Sequence, residues 1–284
     1  MKTIQASDIT KTVAELCLTA NIDPDEGIRT AIKQAHKIET SEPAKNALEM
    51  ILENMAVAET ERMPLCQDTG MVVVFVEIGQ DVYVSGNIRE AINEGVRQAY
   101  SEGYFRASVV NDPAERKNTR DNTPAVIHYD IVEGNHLKIT VMPKGFGSEN
   151  KSALKMLSPS AGMDGVEAFV IETIKKAGAA PCPPIIVGVG IGGTMEKAAI
   201  LAKQALLEPR YFSGFDKKNK TNFWHEFEAR LLEKINALNI GAAGLKGKTT
   251  ALGVRVLAYP THIAGLPVAV NIGCHVARHK SAVL

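Results

Sequence analysis

Apolar residues recur at helical spacing over 8–20, 27–37 and 43–58, so the first 60 residues predict amphipathic helices. In SEPAKNALEMI a serine followed closely by proline marks a helix start. The texture changes at Met63. MVVVFVEIG (71–79) and DVYVSG (81–86) are strand-like, 87–101 returns to helical spacing, and 124–132 and 137–142 read as strands joined by the turn EGNH. Helices are predicted over 150–157, 164–177, 194–207 and 219–237. An apolar strand runs through PPIIVGVG ahead of the helix at 194, and GVRVLAYP and GLPVAVNIG form two closing strands around a Gly/Pro loop. No internal repeat or low-complexity tract interrupts this order. Helices first, then interspersed strands and helices, predict a mixed α/β fold with a helical N-terminal layer. The expected organisation is one domain over 1–284, its natural seam lying between the helical layer 1–60 and an α/β core 61–284.

Composition narrows the partners. With 45% hydrophobic and 23% charged residues among 284, the chain has the balance of a globular protein with an ample core. A formal net charge of zero removes the electrostatic footprint of a nucleic-acid binder. No apolar run approaches the ~18–20 residues of a membrane span. Charges interrupt MKTIQASDITKTVAELCL where a signal peptide would have its apolar core. A cytoplasmic protein that binds neither nucleic acid nor membrane is expected.

Two glycine-rich stretches imitate nucleotide sites. Gly188-x-Gly190-x-x-Gly193 matches a dinucleotide fingerprint, and Glu208 stands about 20 residues after Gly188. In that motif the acidic residue ends a second strand. Here TMEKAAILAKQALL is one unbroken helical pattern up to Glu208, so the glycines predict a tight strand-to-helix turn instead. GFGSENKS (145–152) resembles a P-loop, but Asn150 occupies the position of the second required glycine. Gly145, Gly147, Ser148, Glu149 and Asn150 then make either a loop suited to an anion such as a carboxylate, or a capped turn. DKKNK (216–220) and KGKTT (246–250) read as solvated loops.

Four cysteines remain. Cys17, on the apolar face of a predicted helix, reads as a packed, inert thiol. The other three share a setting: PLCQDTG, APCPP and NIGCHVARH each place a cysteine at a Pro/Gly-punctuated end of an apolar segment. Singly, each passes for a small buried hydrophobe. As a set brought together by the fold, three thiolates suit an iron–sulfur cluster better than a closed zinc site, which takes four ligands. His275 follows Cys274 directly, and adjacent side chains on an extended strand point oppositely, so a structural role is expected for it.

PLCQDTG, GYFRAS, PKGFGSENKS, APCPPIIVGVGIGGTMEKAA and YPTHIAGLPVAVNIGCH stand in this order along essentially the whole chain. In these motifs the chain resembles the iron–sulfur-dependent hydro-lyases, the class I fumarate hydratases and L-tartrate dehydratases, and matches the α subunit of the two-subunit form. The resemblance implies a [4Fe–4S] cluster on Cys66, Cys182 and Cys274, so that 61–284 would be a cluster-binding core. It implies substrate contacts from Gln67, Arg106 and Gly147, and catalytic roles for Asp68 and His262. One departure is Phe146, where many members have glycine, a change that bears on loop shape or substrate preference. The remaining basic substrate residues and the base belong, by the same resemblance, to a second domain or β subunit, so this chain is expected to form half of a site within a higher oligomer. The expected reaction is hydration of fumarate to (S)-malate, with an open iron as Lewis acid. L-tartrate dehydration is the alternative within that chemistry, and a metal-holding scaffold or redox sensor is the alternative outside it.

Overall fold

The computed structural model describes residues 1–208, 210–211 and 222–284. The three N-terminal helices form as α1 (Ala6–Ile22), α2 (Glu26–Ile38) and α3 (Glu42–Glu61). β1 (Lys2–Gln5) precedes them; β2 (Met71–Gly79), β3 (Val82–Ser85), α4 (Ile88–Glu102), β4 (Val126–Val132) and β5 (Leu137–Lys144) follow. The helix predicted over 150–157 is not there. The chain makes a single turn, α5 (Phe146–Glu149), and then β6 (Ala153–Leu157). A short apolar run fits either period, and pairing along β10 (Leu266–Gly273) decides it. Next come α6 (Gly162–Ala177), β7 (Ile185–Gly192), α7 (Met195–Gln204), β8 (Arg210–Tyr211), α8 (Phe223–Asn236), β9 (Ala251–Tyr259) and, after β10, β11 (Lys280–Val283). Residues 216–220 and the first residues of the helix predicted from 219 lie outside the described residues. The fold is mixed α/β, and no helix among the described residues is long and apolar enough to cross a membrane.

The chain divides into two compact units. Unit 1 comprises Met1–Pro24, Met55–Phe146 and Arg278–Leu284; unit 2 comprises Asp25–Asn54 and Gly147–Ala277. Unit 1 is built on a four-stranded sheet in the order β11-β5-β2-β4, with β1 and β3 paired beside it. Helices α1 and α4 bury Ile9, Val13, Leu16, Ile92 and Val96 with Val72, Val74 and Ile139 of the sheet. Cys17 is fully buried in this core, and burial pushes its thiol pKa well up. It is the inert thiol that its position predicts.

Unit 2 carries a five-stranded sheet, β6-β10-β7-β9-β8, with β7 and β9 parallel and β10 antiparallel to β7. All eight residues of β7 are buried, as expected of a central strand. Its glycines do two different jobs. Gly192 and Gly193 have φ of +89° and +67° and make the turn into α7. Gly188 and Gly190 lie inside the strand, where a Cβ would stand 2.1 Å from the Ala202 carbonyl oxygen and 2.0 Å from that of Ala198. They let α7 lie directly on the sheet. The expected turn therefore accounts for Gly193, and close helix packing for the other two.

Glu39, at the end of α2, ties down the KGKTT segment. Its Oε1 accepts from the N–H groups of Thr40 (2.8 Å) and Ser41 (3.0 Å), and its Oε2 from Lys248 (2.8 Å). That segment is not wholly solvated: Thr249 and Thr250 are buried, and the Thr250 hydroxyl accepts from Ile240 and Gly241 N–H. Burial presses the Glu39 pKa upward, but backbone donors from Ser41, Thr40, Lys248 and Thr249 outweigh it and hold the carboxyl below its usual 4.5. A folded-state pKa below the unfolded one stabilises fully above pH 4.5 and is lost as pH falls through the folded value. Glu39→Gln is therefore expected to cost about 1–3 kcal/mol near neutrality and to flatten the acid limb of the stability–pH curve. Denaturant unfolding across pH checks this; parallel curves for the two proteins would refute it.

Candidate active site

In unit 1 the PLCQDTG loop is held from several sides. Asp68 Oδ1 accepts from Gly70 N–H (3.0 Å) and Oδ2 from Phe146 N–H (2.9 Å). Tyr100 donates its hydroxyl to the Thr69 carbonyl at 2.6 Å, and the Thr69 hydroxyl donates to the Arg106 carbonyl at 2.9 Å. Cys66, Gln67 and Asp68 stand side by side in this loop, with the Cys66 thiol 3.7 Å from Gln67 Oε1, and the Arg106 backbone is tied to the loop through Thr69. Cys66 is half-buried, and Gln67 and Arg106 are exposed. Sequence reading missed Arg278, which is buried and donates to the Asp68 carbonyl (2.7 Å) and to Asn21 Oδ1 (3.1 Å). A cation in VARH has no spacing that marks it.

In unit 2, Cys182 precedes β7 and Cys274 follows β10. The antiparallel register sets Gly273 opposite Ile186, so both cysteines lie at one end of the β7–β10 pair. Cys182 is exposed and Cys274 half-buried. His275 joins their loops. Its Nδ1 lies 3.0 Å from the Cys182 carbonyl, which can only accept, so Nδ1 carries the proton. Burial lowers the His275 pKa while the Cys182 bond works against that, and the net shift favours a neutral ring. Cys182 itself has φ +55°, a left-handed conformation that a side chain disfavours by roughly 1–2 kcal/mol.

The GFGSEN loop reaches the same end of this sheet. Glu149 accepts from Asn271 Nδ2 (3.2 Å) and pairs with the Lys203 ammonium of α7, while Ile272 N–H donates to the Ser152 hydroxyl (3.1 Å). Gly147 is exposed, and a Cβ there would meet nothing nearer than the Ala180 carbonyl oxygen at 3.9 Å. The Glu149 carboxylate is therefore a loop anchor. Lys203→Met is expected to lower stability by about 1–3 kcal/mol, with Lys203→Arg restoring most of it, read from thermal unfolding. Equal losses for both variants would refute the ion-pair role.

His262 is not at this end. It lies in the β9–β10 connection, where Gly193 N–H donates to the Pro260 carbonyl and the Thr261 hydroxyl to that of Gly193. Its Nδ1 accepts from Ala264 N–H at 3.2 Å, a local turn contact. The eight residues of β10 separate it from Cys274, which at strand rise is more than about 20 Å.

Cys66 in unit 1 and Cys182 and Cys274 in unit 2 are loop thiols, none fully buried, and thiolates are the residue type that ligates iron–sulfur clusters. No three His, Cys, Asp or Glu side chains among the described residues converge on a single ion. A cubane takes its thiolates on separate irons, so it asks for spaced thiols and not for convergence on one point.

The sequence profile described as Fumarate hydratase (Fumerase) matches residues 10–283. The chain belongs to this family. Within it, the chain is 44% identical over 273 residues to a protein of Methanocaldococcus jannaschii provisionally named L(+)-tartrate dehydratase subunit alpha, covering 94% of each. It is 30% identical over 269 residues to the L(+)-tartrate dehydratase subunit alpha of Escherichia coli K12, covering 94% of this chain and 87% of that one. The Shigella sonnei protein of the same name is similar to the same extent. The chain is thus a member of a hydro-lyase family of fumarate hydratases and tartrate dehydratase α subunits.

Proposed function

We propose that the chain is the α subunit of an iron–sulfur hydro-lyase acting on a four-carbon dicarboxylate. In this reading Cys66, Cys182 and Cys274 hold a [4Fe–4S] cluster, and a β subunit completes the site. The observation that carries it is the exposed Cys182 and half-buried Cys274 at one strand end, joined through His275 beside the GFGSEN loop. When bound, such a cluster supplies an iron without a protein ligand, a Lewis acid for a hydroxyl and a neighbouring carboxylate.

The chain's own residues bind and orient. The exposed Arg106 offers a planar, two-pronged donor to a substrate carboxylate. Gln67 adds an amide beside Cys66, and Gly147 leaves the loop surface open to a ligand. Asp68, with both oxygens accepting backbone amides, orients the Cys66–Gln67 turn. His262 lies at the far end of the unit 2 sheet and is given no step. The proton next to the carboxylate is removed by a base on the β subunit. A cytoplasmic setting is part of the same proposal, since a reducing compartment keeps thiols available as ligands.

The names of the relatives favour L(+)-tartrate as substrate, the second choice from sequence. Fumarate and (S)-malate follow, supported by the family's name. The deciding experiment is anaerobic reconstitution of the chain with and without its β-type partner, assayed on tartrate, malate and fumarate. Turnover only with both chains, lost in air, is expected. A chain that stays colourless with added iron and sulfide overturns the reading, as does full turnover by the chain alone. A zinc-bound, oxygen-insensitive protein would favour the scaffold alternative.

A further inference from the structure

Strand β4 is, with β11, one of the two outer strands of the unit 1 four-stranded sheet. It pairs in parallel with β2 on one side and with no strand among the described residues on the other. Edges of this kind are ordinarily blunted by charged side chains, especially lysine, by proline or by a bulge, and the only carboxylate here is Asp130. VIHYDIV has no lysine or proline, and its register with β2 runs unbroken from Val126 to Val132. Ile131 is 71% exposed, and Tyr129 and Val126 are exposed too.

Ladder geometry says which backbone groups face outward. The Val132 carbonyl accepts from Gln80 N–H at 2.8 Å, so Val132 turns its polar groups toward the β2 side. Alternate residues share that direction, which leaves Ile127, Tyr129 and Ile131 presenting N–H and C=O to the open side.

We propose that this edge pairs with the same edge of a second copy of the chain, antiparallel, with the two-fold axis at Tyr129. The sequence is complementary to itself in that register. Tyr129 meets Tyr129 and Ile127 meets Ile131, and these are the outward-facing residues, so they form the hydrogen-bonded pairs. Val126 meets Val132, and His128 meets Asp130, twice by symmetry, placing a hydrogen-bonding or ionic pair where like charges would repel. His128 is fixed on its face by stacking on Phe75, ring centroids 5.1 Å apart. An interface of this kind is isologous and closes at two copies. The proposal stands independently of the cluster reading.

Size-exclusion chromatography with light scattering tests it on the full chain, alone and with its β-type partner. An even number of copies is expected, and Ile131→Lys should halve the mass while leaving the unfolding transition in place. Tyr129→Pro is the second variant: it removes an outward N–H and leaves the β2 ladder intact, and should halve the mass in the same way. Mixing His128→Cys chains with Asp130→Cys chains should give disulfide-linked pairs of unlike chains in preference to like ones. A monomeric wild-type chain, a mass untouched by both variants, or a preference for like pairs overturns the proposal.

Discussion

Replacing Cys182 by glycine is expected to leave the protein at least as stable as before and unable to hold an iron–sulfur cluster. Cys182 is exposed, so its side chain adds little to the core. Its φ of +55° is one that glycine adopts without cost and a cysteine does not. Two of the contacts that hold it are backbone contacts: its N–H donates to the Ala179 carbonyl at 3.1 Å, and its carbonyl accepts from His275 at 3.0 Å. Both survive the substitution. A position that keeps a strained cysteine where glycine would fit better points to a use for the sulfur. Stability should rise by up to about 1–2 kcal/mol. Iron and acid-labile sulfide after anaerobic reconstitution should fall by more than the roughly 10–100-fold typical of losing an outer-shell partner. Cys17→Ala should do the reverse, keeping the iron and losing about 1 kcal/mol from a packed core. If Cys182→Gly retains the cluster, or if both variants lose it together, the assignment of ligands fails.

That separation of Cys182 from Cys17 was legible in sequence, because one sits on a helical stripe and the other between prolines. The long periodic elements were legible for the same reason: α1 to α4, α6 and α7 show the period of 3.6, and β2, β5, β9 and β10 carry apolar runs too short for helices. What failed was whatever depends on a partner far along the chain. Ala153–Leu157 becomes a strand only because β10 lies beside it, and β1 and β11 are short strands that have meaning only as additions to β3 and β5. His262 and Cys274 show how closeness in sequence and closeness in the fold part company. In YPTHIAGLPVAVNIGCH the two stand close in sequence, yet the residues between them are a strand crossing the whole sheet. Lys203, Glu149 and Asn271 come from three elements, and no local pattern announces that they meet. Arg278 likewise gains its role from Asp68 and Asn21, both far away in sequence.

Gly190→Ala is expected to destabilise the protein by about 3 kcal/mol or more, at the top of the range for overpacking a core. The reason is the kind of atom in the way. A Cβ at 190 would lie 2.0 Å from the Ala198 carbonyl oxygen and 2.6 Å from the Ala202 nitrogen, both backbone atoms of α7. A flexible side-chain tip could rotate aside, but here the helix must lift off the central strand of its sheet. Lifting it would also disturb the Lys203–Glu149 pair, which α7 carries, and with it the GFGSEN loop. Gly188→Ala should behave alike, since its Cβ would meet the Ala202 carbonyl oxygen at 2.1 Å. A pyrophosphate cradle predicts something different. Glycines that make room for a ligand can take a methyl group with little loss of stability and a large loss of dinucleotide binding. Thermal and denaturant unfolding of both variants, alongside nucleotide titration of the wild-type chain, separates the two. Unchanged unfolding together with saturable NAD binding would restore the fingerprint reading and remove the packing account of Gly188 and Gly190.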